Sequence, residues 1–595
     1  MHFTPTTCKI RHRRQDSQAF REKSRQPHQK PEETPLYRKF RWFSVAAFAT
    51  LLAWATALAQ HLPLTVPERT DYRHTSRLRD VEQFFAELQK RSDRVQLVRL
   101  TTSFEGRPVW LVVLGDPPPN SACEALESGK LVVYVEADIH AGEVEGKEVL
   151  QMLARDILVG PLRHLLRNQI LLFVPVLNPD GNEKISPAHR RNQVGPEGGV
   201  GVRTNGQGLD LNRDFVKLES PEIRAVVNLL NRWDPAVFVD IHTTNGSYHR
   251  HVVTYSLPHN PNADPAVVRY LRNHLMKWVS QQMENRYHSP IIPYGNFRNR
   301  AVPDSGWSTF GPEARYGTNY VGLRNRLSIL VENYAYATFQ QRVQGCYQFV
   351  RSLLEYTNDH ASQIRKLLRE VDERTGESFA EKPFGVRFRA RPLPEPISLQ
   401  SYAFRVDTTQ EGQVRVHKID VPRTYHLKFY GDFVATDSVS LPQGYLIEPR
   451  FRRVARLLVR HGIPVFVLRD SLTVRVARFH YQRVETPPLP FQGHWLLNVE
   501  GREDTATVTF EPGTFYVPLR HRLAPLAAWL LEPRSPDGLL VWNFFDRSLR
   551  AGEWSRKLGV YPVAKALQPL LAPAARLTIH RHSSGFGPAG SERAP

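Results

Sequence analysis

Between about Thr65 and Asn358 the chain alternates two kinds of periodicity. Apolar runs with hardly a polar break occupy 131–139 (LVVYVEADI), 169–177 (QILLFVPVL), 235–241 (ending AVFVDI) and 326–332 (RLSILVE), with further strand candidates at 95–101 and 108–114. Between them, helical spacing of apolar positions predicts helices over 78–91, 144–157, 220–232, 263–285 and 336–371. Strands that are apolar on both faces and alternate with helices predict an α/β fold. The expected architecture is a mixed, largely parallel central sheet with helices on both faces.

The pattern changes after about Gly376. Prolines cluster at 383, 392, 394 and 396, and short alternating segments follow at 413–418, 426–430 and 473–479. Helical spacing returns at 450–461, with Gly462 read as its C-cap, and at 521–531. The spacing predicts a catalytic-type α/β domain over 60–376 and an accessory α+β or β-rich domain over 377–580. The Gly/Ser/Pro-rich tail at 581–595 reads as disordered.

Composition narrows the class. The 595 residues are 41% hydrophobic and 10% aromatic, enough for real cores. Three cysteines exclude both a disulfide-stapled scaffold and a four-thiolate zinc ribbon. The net charge of +20 divides as +7 over 1–42, +3 over 43–375 and +10 over 376–595. The middle of the chain is thus nearly neutral. A nucleic-acid enzyme concentrates its positive field around the active site, so the charge map argues against a nucleic-acid partner. Five arginines between 450 and 460 read as a solvated helix face.

Residues 43–59 (FSVAAFATLLAWATALA) carry no charge, follow Arg38, Lys39 and Arg41, and end on Ala57-Leu58-Ala59. That is the layout of a secretory signal, so 1–59 reads as a basic leader with a signal peptide, and the expected location is periplasmic or extracellular. Left uncleaved, the same segment is a signal anchor, and it is the expected route to a membrane. Cleavage after Ala59 leaves Cys123 and Cys346, whose pairing the sequence leaves open.

Three of the four long apolar runs end on residues able to do metal chemistry. The first runs into His140, with Glu143 three residues on; the third runs into His242; the fourth ends at Glu332. Ligands gather at the carboxyl ends of strands in open α/β sheets. Two imidazoles and a carboxylate make a standard catalytic zinc set, and the second carboxylate is left as a base. The HxxE spacing alone occurs by chance; its weight comes from a distant strand-end His and a third strand-end Glu. Between these motifs lies GLDLNRDF, where Asn212 and Arg213 offer amide and guanidinium donors suited to a carboxylate. Asp210 beside them can accept from the free nitrogen of a ligating histidine.

Read in order, HAGE, NPDG (178–181), DLNRDF, FVDIHTT and ILVENYAY resemble the zinc metallocarboxypeptidases of the carboxypeptidase A/B type, over about 70–350. The resemblance implies one Zn²⁺ per chain held by His140, Glu143 and His242, and hydrolysis of the C-terminal peptide bond of peptides. A zinc-bound water is the implied nucleophile, Glu332 the general base and then acid, and Asn212 and Arg213 the holders of the substrate's terminal carboxylate. Asp210 matches the acceptor behind the first zinc histidine. HRRN (189–192) puts Arg190, with Arg191 as the alternative, at the carbonyl-polarising position. Tyr320, with Tyr316 as the alternative, matches the family's flexible tyrosine. Peptide or protein C-termini are the implied partners. The alternatives are a related zinc amide hydrolase, such as an N-acyl amino acid deacylase or a peptidoglycan carboxypeptidase, and a non-catalytic envelope-binding protein. The segments at 500–502, 510–518 and 530–546 are more faintly similar to the tails of some secreted bacterial members.

Overall fold

Helix α1 (Leu78–Arg91) leads into an antiparallel pair, β1 (Val95–Thr102) and β2 (Pro108–Leu114). The chain then lays down β3 (Leu131–Ala137), α2 (Glu145–Leu158), β4 (Gln169–Val174), α3 (Pro221–Trp233) and β5 (Val237–Thr244). After β6 (Val253–Ser256), β7 (Ile292–Pro293) and the short helix α4 (Gly317–Leu323) come β8 (Leu327–Tyr334) and α5 (Phe339–Asp359). The strands form one eight-stranded sheet in the order β1-β2-β4-β3-β5-β8-β6-β7. Its centre, β4-β3-β5-β8, is parallel throughout, flanked by antiparallel β2 and β6. The expected mixed, largely parallel sheet is what the chain builds. This computed structural model describes residues 62–409, 412–551, 557–570 and 574–577. The leader and signal read at 1–59 and the tail read at 581–595 lie outside the described residues. Among the described residues no helix is long and apolar enough to cross a membrane.

Both faces of the sheet are covered because the central strands are apolar on both. Val133, Val135, Val239 and Ile329 pack with α1, α2, α5 and the helices at 265–285 and 361–378. Val132, Tyr134, Ile170 and Phe238 pack on the opposite side with α3 and α4. The helix starts are set by local chemistry. Ser220 caps α3 by accepting from the Ile223 amide at 3.2 Å, with Pro221 as the first helical residue. Thr338 and Gln341 cap α5 reciprocally. A cap of this kind contributes about 1 kcal/mol. The single helix expected over 336–371 is two, broken at His360, whose backbone (φ −109, ψ 17) leaves the helical region before Ala361–Ser378 resumes.

The C-terminal stretch is α+β. It carries a seven-stranded sheet, two long hairpins (397–427 and 472–510) and helices at Arg452–Arg460 and Ala524–Leu531. Arg452, Arg453, Arg456 and Arg460 are exposed, as a solvated face requires, and Gly462 ends that helix at φ +85. The described residues from Leu64 onward form one compact unit. A single apolar cluster joins Val132, Phe238 and Leu229 to Phe451, Leu458, Trp529 and Trp542. The C-terminal residues are therefore the outer cover of one face of the sheet. Cys123 and Cys346 are not joined in a disulfide.

Candidate active site

The parallel register brings the strand-end residues together. Glu332 on β8 pairs directly with His242 on β5, and Ala137, last residue of β3, pairs with Ile241. The chain leaving β3 turns at once, with the Glu143 amide donating to the His140 carbonyl at 2.9 Å. Gly142 lets that turn close: a Cβ there would lie 2.6 Å from Cδ of Arg190 and 3.1 Å from the Gly201 carbonyl oxygen. One ligand atom from each of His140, Glu143 and His242 lies within 4.8 Å of the others, all three residues buried. Nδ1 of His140 and Nδ1 of His242 are 3.1 Å apart, and Glu143 Oε2 is 3.0 Å from the latter.

Each ring is oriented from behind by a carboxylate. His140 Nε2 lies 2.9 Å from Asp210 Oδ1, and His242 Nε2 lies 2.7 Å from Asp240 Oδ2. The far nitrogen of His140 is bonded to a carboxylate, that of His242 lies beside one and 3.2 Å from Asn212 Nδ2, and both Nδ1 atoms lie close together, an arrangement that prepares imidazoles for a metal. Two imidazole nitrogens and one carboxylate fit Zn²⁺ with a coordination position left open. Asp240 was not among the residues singled out in the sequence. Its signal was there: an acid in the apolar run VFVDIH, two residues before His242 and so on the same face of the strand.

The buried charges shift one another. Burial alone would raise the Asp210 carboxyl, but its bond to His140 and the charges of His140, Arg203 and Arg213 outweigh it and hold it well below the usual range. Burial alone would discharge His242, yet the charge and hydrogen bond of Asp240, together with Glu143, hold its proton on well above the ordinary pKa of imidazole. Metal binding must displace that proton, so zinc affinity should rise with pH through the neutral range. Asp240→Asn should weaken zinc binding by roughly 10–100-fold, measured by competition with a chromogenic chelator, through lost orientation of the ring. Unchanged affinity would remove Asp240 from the site.

Glu332 sits over this triad. Its Oε2 is buried and has no hydrogen-bond partner among the described residues. Burial, aided by repulsion from Glu143 and Asp240, outweighs the attraction of His242 and Arg190 and pushes the carboxyl up to about 8. A carboxylate with a free oxygen, facing a cleft and reluctant to ionise, is suited to taking and giving a proton.

The cleft has a volume of about 210 Å³ and contains His140, Glu143, His242 and Glu332 together with Asn212 and Arg213. The Asn212 amide is fixed: its Oδ1 accepts from the Gly317 amide at 2.9 Å, and its Nδ2, the donor, lies 3.2 Å from His242 Nε2 with one hydrogen left for the cleft. Arg213 lies over the ring of Tyr316 at 4.6 Å. Arg190 also lines the cleft, whereas Arg191 is exposed and outside it. Arg190 is tied to the protein at all three nitrogens: Nε donates to Gln193, Nη1 to Glu143 and Nη2 to the Thr243 carbonyl.

Two cleft residues were missed by sequence reasoning. Arg203 donates Nε to Asp210 at 2.8 Å, and its side chain stays 43% exposed at the cleft. Tyr294 also lines the cleft, its phenol pushed up by burial and by Glu332. The assignment of Tyr320 is corrected. Its ring is fully buried against Phe215, and its hydroxyl lies 2.8 Å from His461 Nδ1. Tyr320 lies inside α4 and packs into the core, while Tyr316 precedes the helix with an extended backbone (φ −85, ψ 133) and meets the cleft. The NPDG motif is structural: Asn178 caps a helical turn, and Asp180 accepts from Ser103 and Arg107.

The chain is similar to several known proteins. Residues 81–308 match the family model described as zinc carboxypeptidase. Rat carboxypeptidase D is 31% identical over 163 residues, which is 23% of this chain and 12% of that protein, so the chain spans about an eighth of that relative. Carboxypeptidase 2 of Trichophyton tonsurans is 21% identical over 435 residues, covering 70% of this chain and 74% of that one. Among solved structures, carboxypeptidase A of Helicoverpa armigera is 16% identical with a TM-score of 0.39, covering 54% of this chain and 81% of that one. A Pseudomonas aeruginosa metallo-carboxypeptidase in complex with (2-guanidinoethylmercapto)succinic acid is 18% identical with a TM-score of 0.36, covering 49% and 70%. Glu332 lies beyond the matched range, and its place at the centre rests on the β5–β8 register. Over residues 81–308 the chain is similar to the zinc carboxypeptidase family.

Proposed function

We propose that this protein hydrolyses the C-terminal peptide bond of peptides, with zinc held by His140, Glu143 and His242. The observation that carries the reading is the convergence, in one cleft, of the metal triad, the unpartnered carboxylate of Glu332 and the donor pair Asn212–Arg213.

Bound zinc supplies a Lewis acid for the scissile carbonyl and for the attacking water. Glu332 accepts a proton from that water on Oε2 as its oxygen bonds to the carbonyl carbon. It then delivers the proton to the amine nitrogen as the C–N bond breaks. Arg213 and Nδ2 of Asn212 hold the terminal carboxylate, which fixes the last peptide bond, and no other, over the metal. The role first read for Arg190, polarising the carbonyl, falls better to Arg203. Arg203 lines the cleft, its side chain 43% exposed, with Nε on Asp210 and Nη1 3.5 Å from Glu143, whereas Arg190 is bound to Gln193, Glu143 and Thr243 and orients the ligand carboxylate. The leader read at 1–59 makes this an exported enzyme, placed to act on peptide ends outside the cytoplasm.

The test is exo-specificity. Zinc-loaded protein incubated with a peptide and with the same peptide amidated at its C-terminus should shorten the first one residue at a time and attack the second far more slowly, as read by mass spectrometry. Cleavage of both at equal rates, or at internal bonds, sinks the reading.

A further inference from the structure

The two loops that carry the carboxylate-binding donors are held from behind by the C-terminal stretch. The loop at 210–219 presents Asp210, Asn212 and Arg213, and the loop at 311–318 presents Tyr316 and the Gly317 amide that fixes Asn212. Gln492 accepts from the Asp210 amide at 3.0 Å, out of a left-handed backbone conformation (φ +51). His494 Nε2 lies 2.9 Å from Glu219 Oε1. Asp537, fully buried, accepts from the Arg315 amide at 2.7 Å and from Trp542 Nε1 at 2.8 Å, and pairs with Arg315 Nε at 3.0 Å.

Cations complete the joint. The Arg315 guanidinium lies 5.2 Å from the Trp542 ring and 5.5 Å from the Phe491 ring. Lys217 donates to the Arg213 carbonyl at 2.9 Å and sits 4.7 Å from the same Trp542 ring. The two C-terminal loops are themselves tied, Asn543 donating to the Trp495 carbonyl at 2.9 Å. A buried carboxylate with two donors and a cation holds one geometry, because losing it strands all three partners in apolar surroundings.

We propose that the C-terminal stretch is the back wall of the subsite for the substrate's terminal carboxylate, with Asp537 and Gln492 as positioning residues for Tyr316, Arg213 and Asp210. The inference rests on the carboxypeptidase reading for what Arg213 binds, but the brace itself does not. Neither residue touches the cleft; both act by fixing loops whose displacement by about 1 Å is enough to cost up to a hundredfold in rate.

The test compares Asp537→Asn, Trp542→Phe and Gln492→Ala with wild type, all zinc-loaded. Two quantities are read: amide hydrogen exchange, and kcat and KM for an N-blocked dipeptide with a free carboxylate. Asp537→Asn and Trp542→Phe should speed exchange across 311–318, and Gln492→Ala across 210–217, while the central strands stay protected. KM should rise by about tenfold or more with kcat nearly kept, and Asp537→Glu should restore part of the loss. Trp542→Phe and Gln492→Ala keep the test alive if Asp537→Asn does not fold. Unchanged exchange in both loops overturns the proposal, and so do loosened loops with unchanged KM. A wild-type protein that cleaves no free-acid substrate overturns the carboxypeptidase reading instead and leaves the exchange result to stand on its own.

Discussion

Glu332→Gln is expected to keep a full complement of zinc and to lower kcat by roughly 10²–10⁴-fold, the range of a positioned general acid–base. Glutamine keeps the size of the side chain and its place on β8 beside His242, but its amide neither takes a proton from water nor returns one. The ligand atoms of His140, Glu143 and His242 do not include Glu332, so metal content should not follow activity down. A separate readout comes from stability without metal. The Glu332 carboxyl is pushed up to about 8 in the folded chain, against an ordinary value of 4.5. Between those values the unfolded chain releases the proton and the folded chain keeps it. The wild type therefore loses stability as pH rises from about 4.5 to about 8, and the loss is complete above that. The Gln variant has no such term. Its melting temperature should match the wild type's near pH 4 and exceed it by a growing margin up to pH 8. Turnover within tenfold of wild type, or a melting difference that does not change with pH, refutes the assigned base.

The sequence showed the centre more clearly than its surroundings. LVVYVEADI, AVFVDI and RLSILVE are apolar on both faces, which makes them interior strands. Parallel neighbours end at the same edge, so His140, His242 and Glu332 had to meet once those strands were adjacent. Asp240 follows from the same period-two logic. What the runs do not encode is the path of the loops. Arg190 and Arg203 both reach Glu143, and which of them faces open cleft depends on a loop in which Arg190 itself sits at φ +46. Tyr316 sits just before α4 and Tyr320 inside it, and Tyr320 is held in the core by Phe215 and His461, both distant in sequence. The C-terminal stretch reads as separate because its composition changes at about 376, yet Trp529 and Trp542 share one cluster with the catalytic sheet. Contacts across such sequence separations leave no local periodicity to find.

Arg213→Ala is expected to lower kcat/KM for free-acid substrates by roughly a hundredfold, about 2.7 kcal/mol, in line with the loss of charged hydrogen bonds to a carboxylate in a partly closed site. The loss should fall mainly on KM, because the terminal carboxylate is bound equally before and during the reaction. The local environment makes Arg213 hard to replace. Its guanidinium lies over the Tyr316 ring at 4.6 Å, and Nη1 also donates to the Asn212 carbonyl at 2.8 Å, so the fork is held before substrate arrives. Arg213→Lys keeps the charge and loses the planar fork, and should recover only part of the affinity. Amidated or esterified substrates, which offer no terminal carboxylate, set the contrast. Their slow residual hydrolysis should change little in Arg213→Ala, so the preference for free acids should collapse by about the same hundredfold. Equal losses on both substrate types would mean that Arg213 serves the fold of the 210–219 loop rather than the substrate, and would pass the anchoring role to Arg203 or Asn212 in the same cleft.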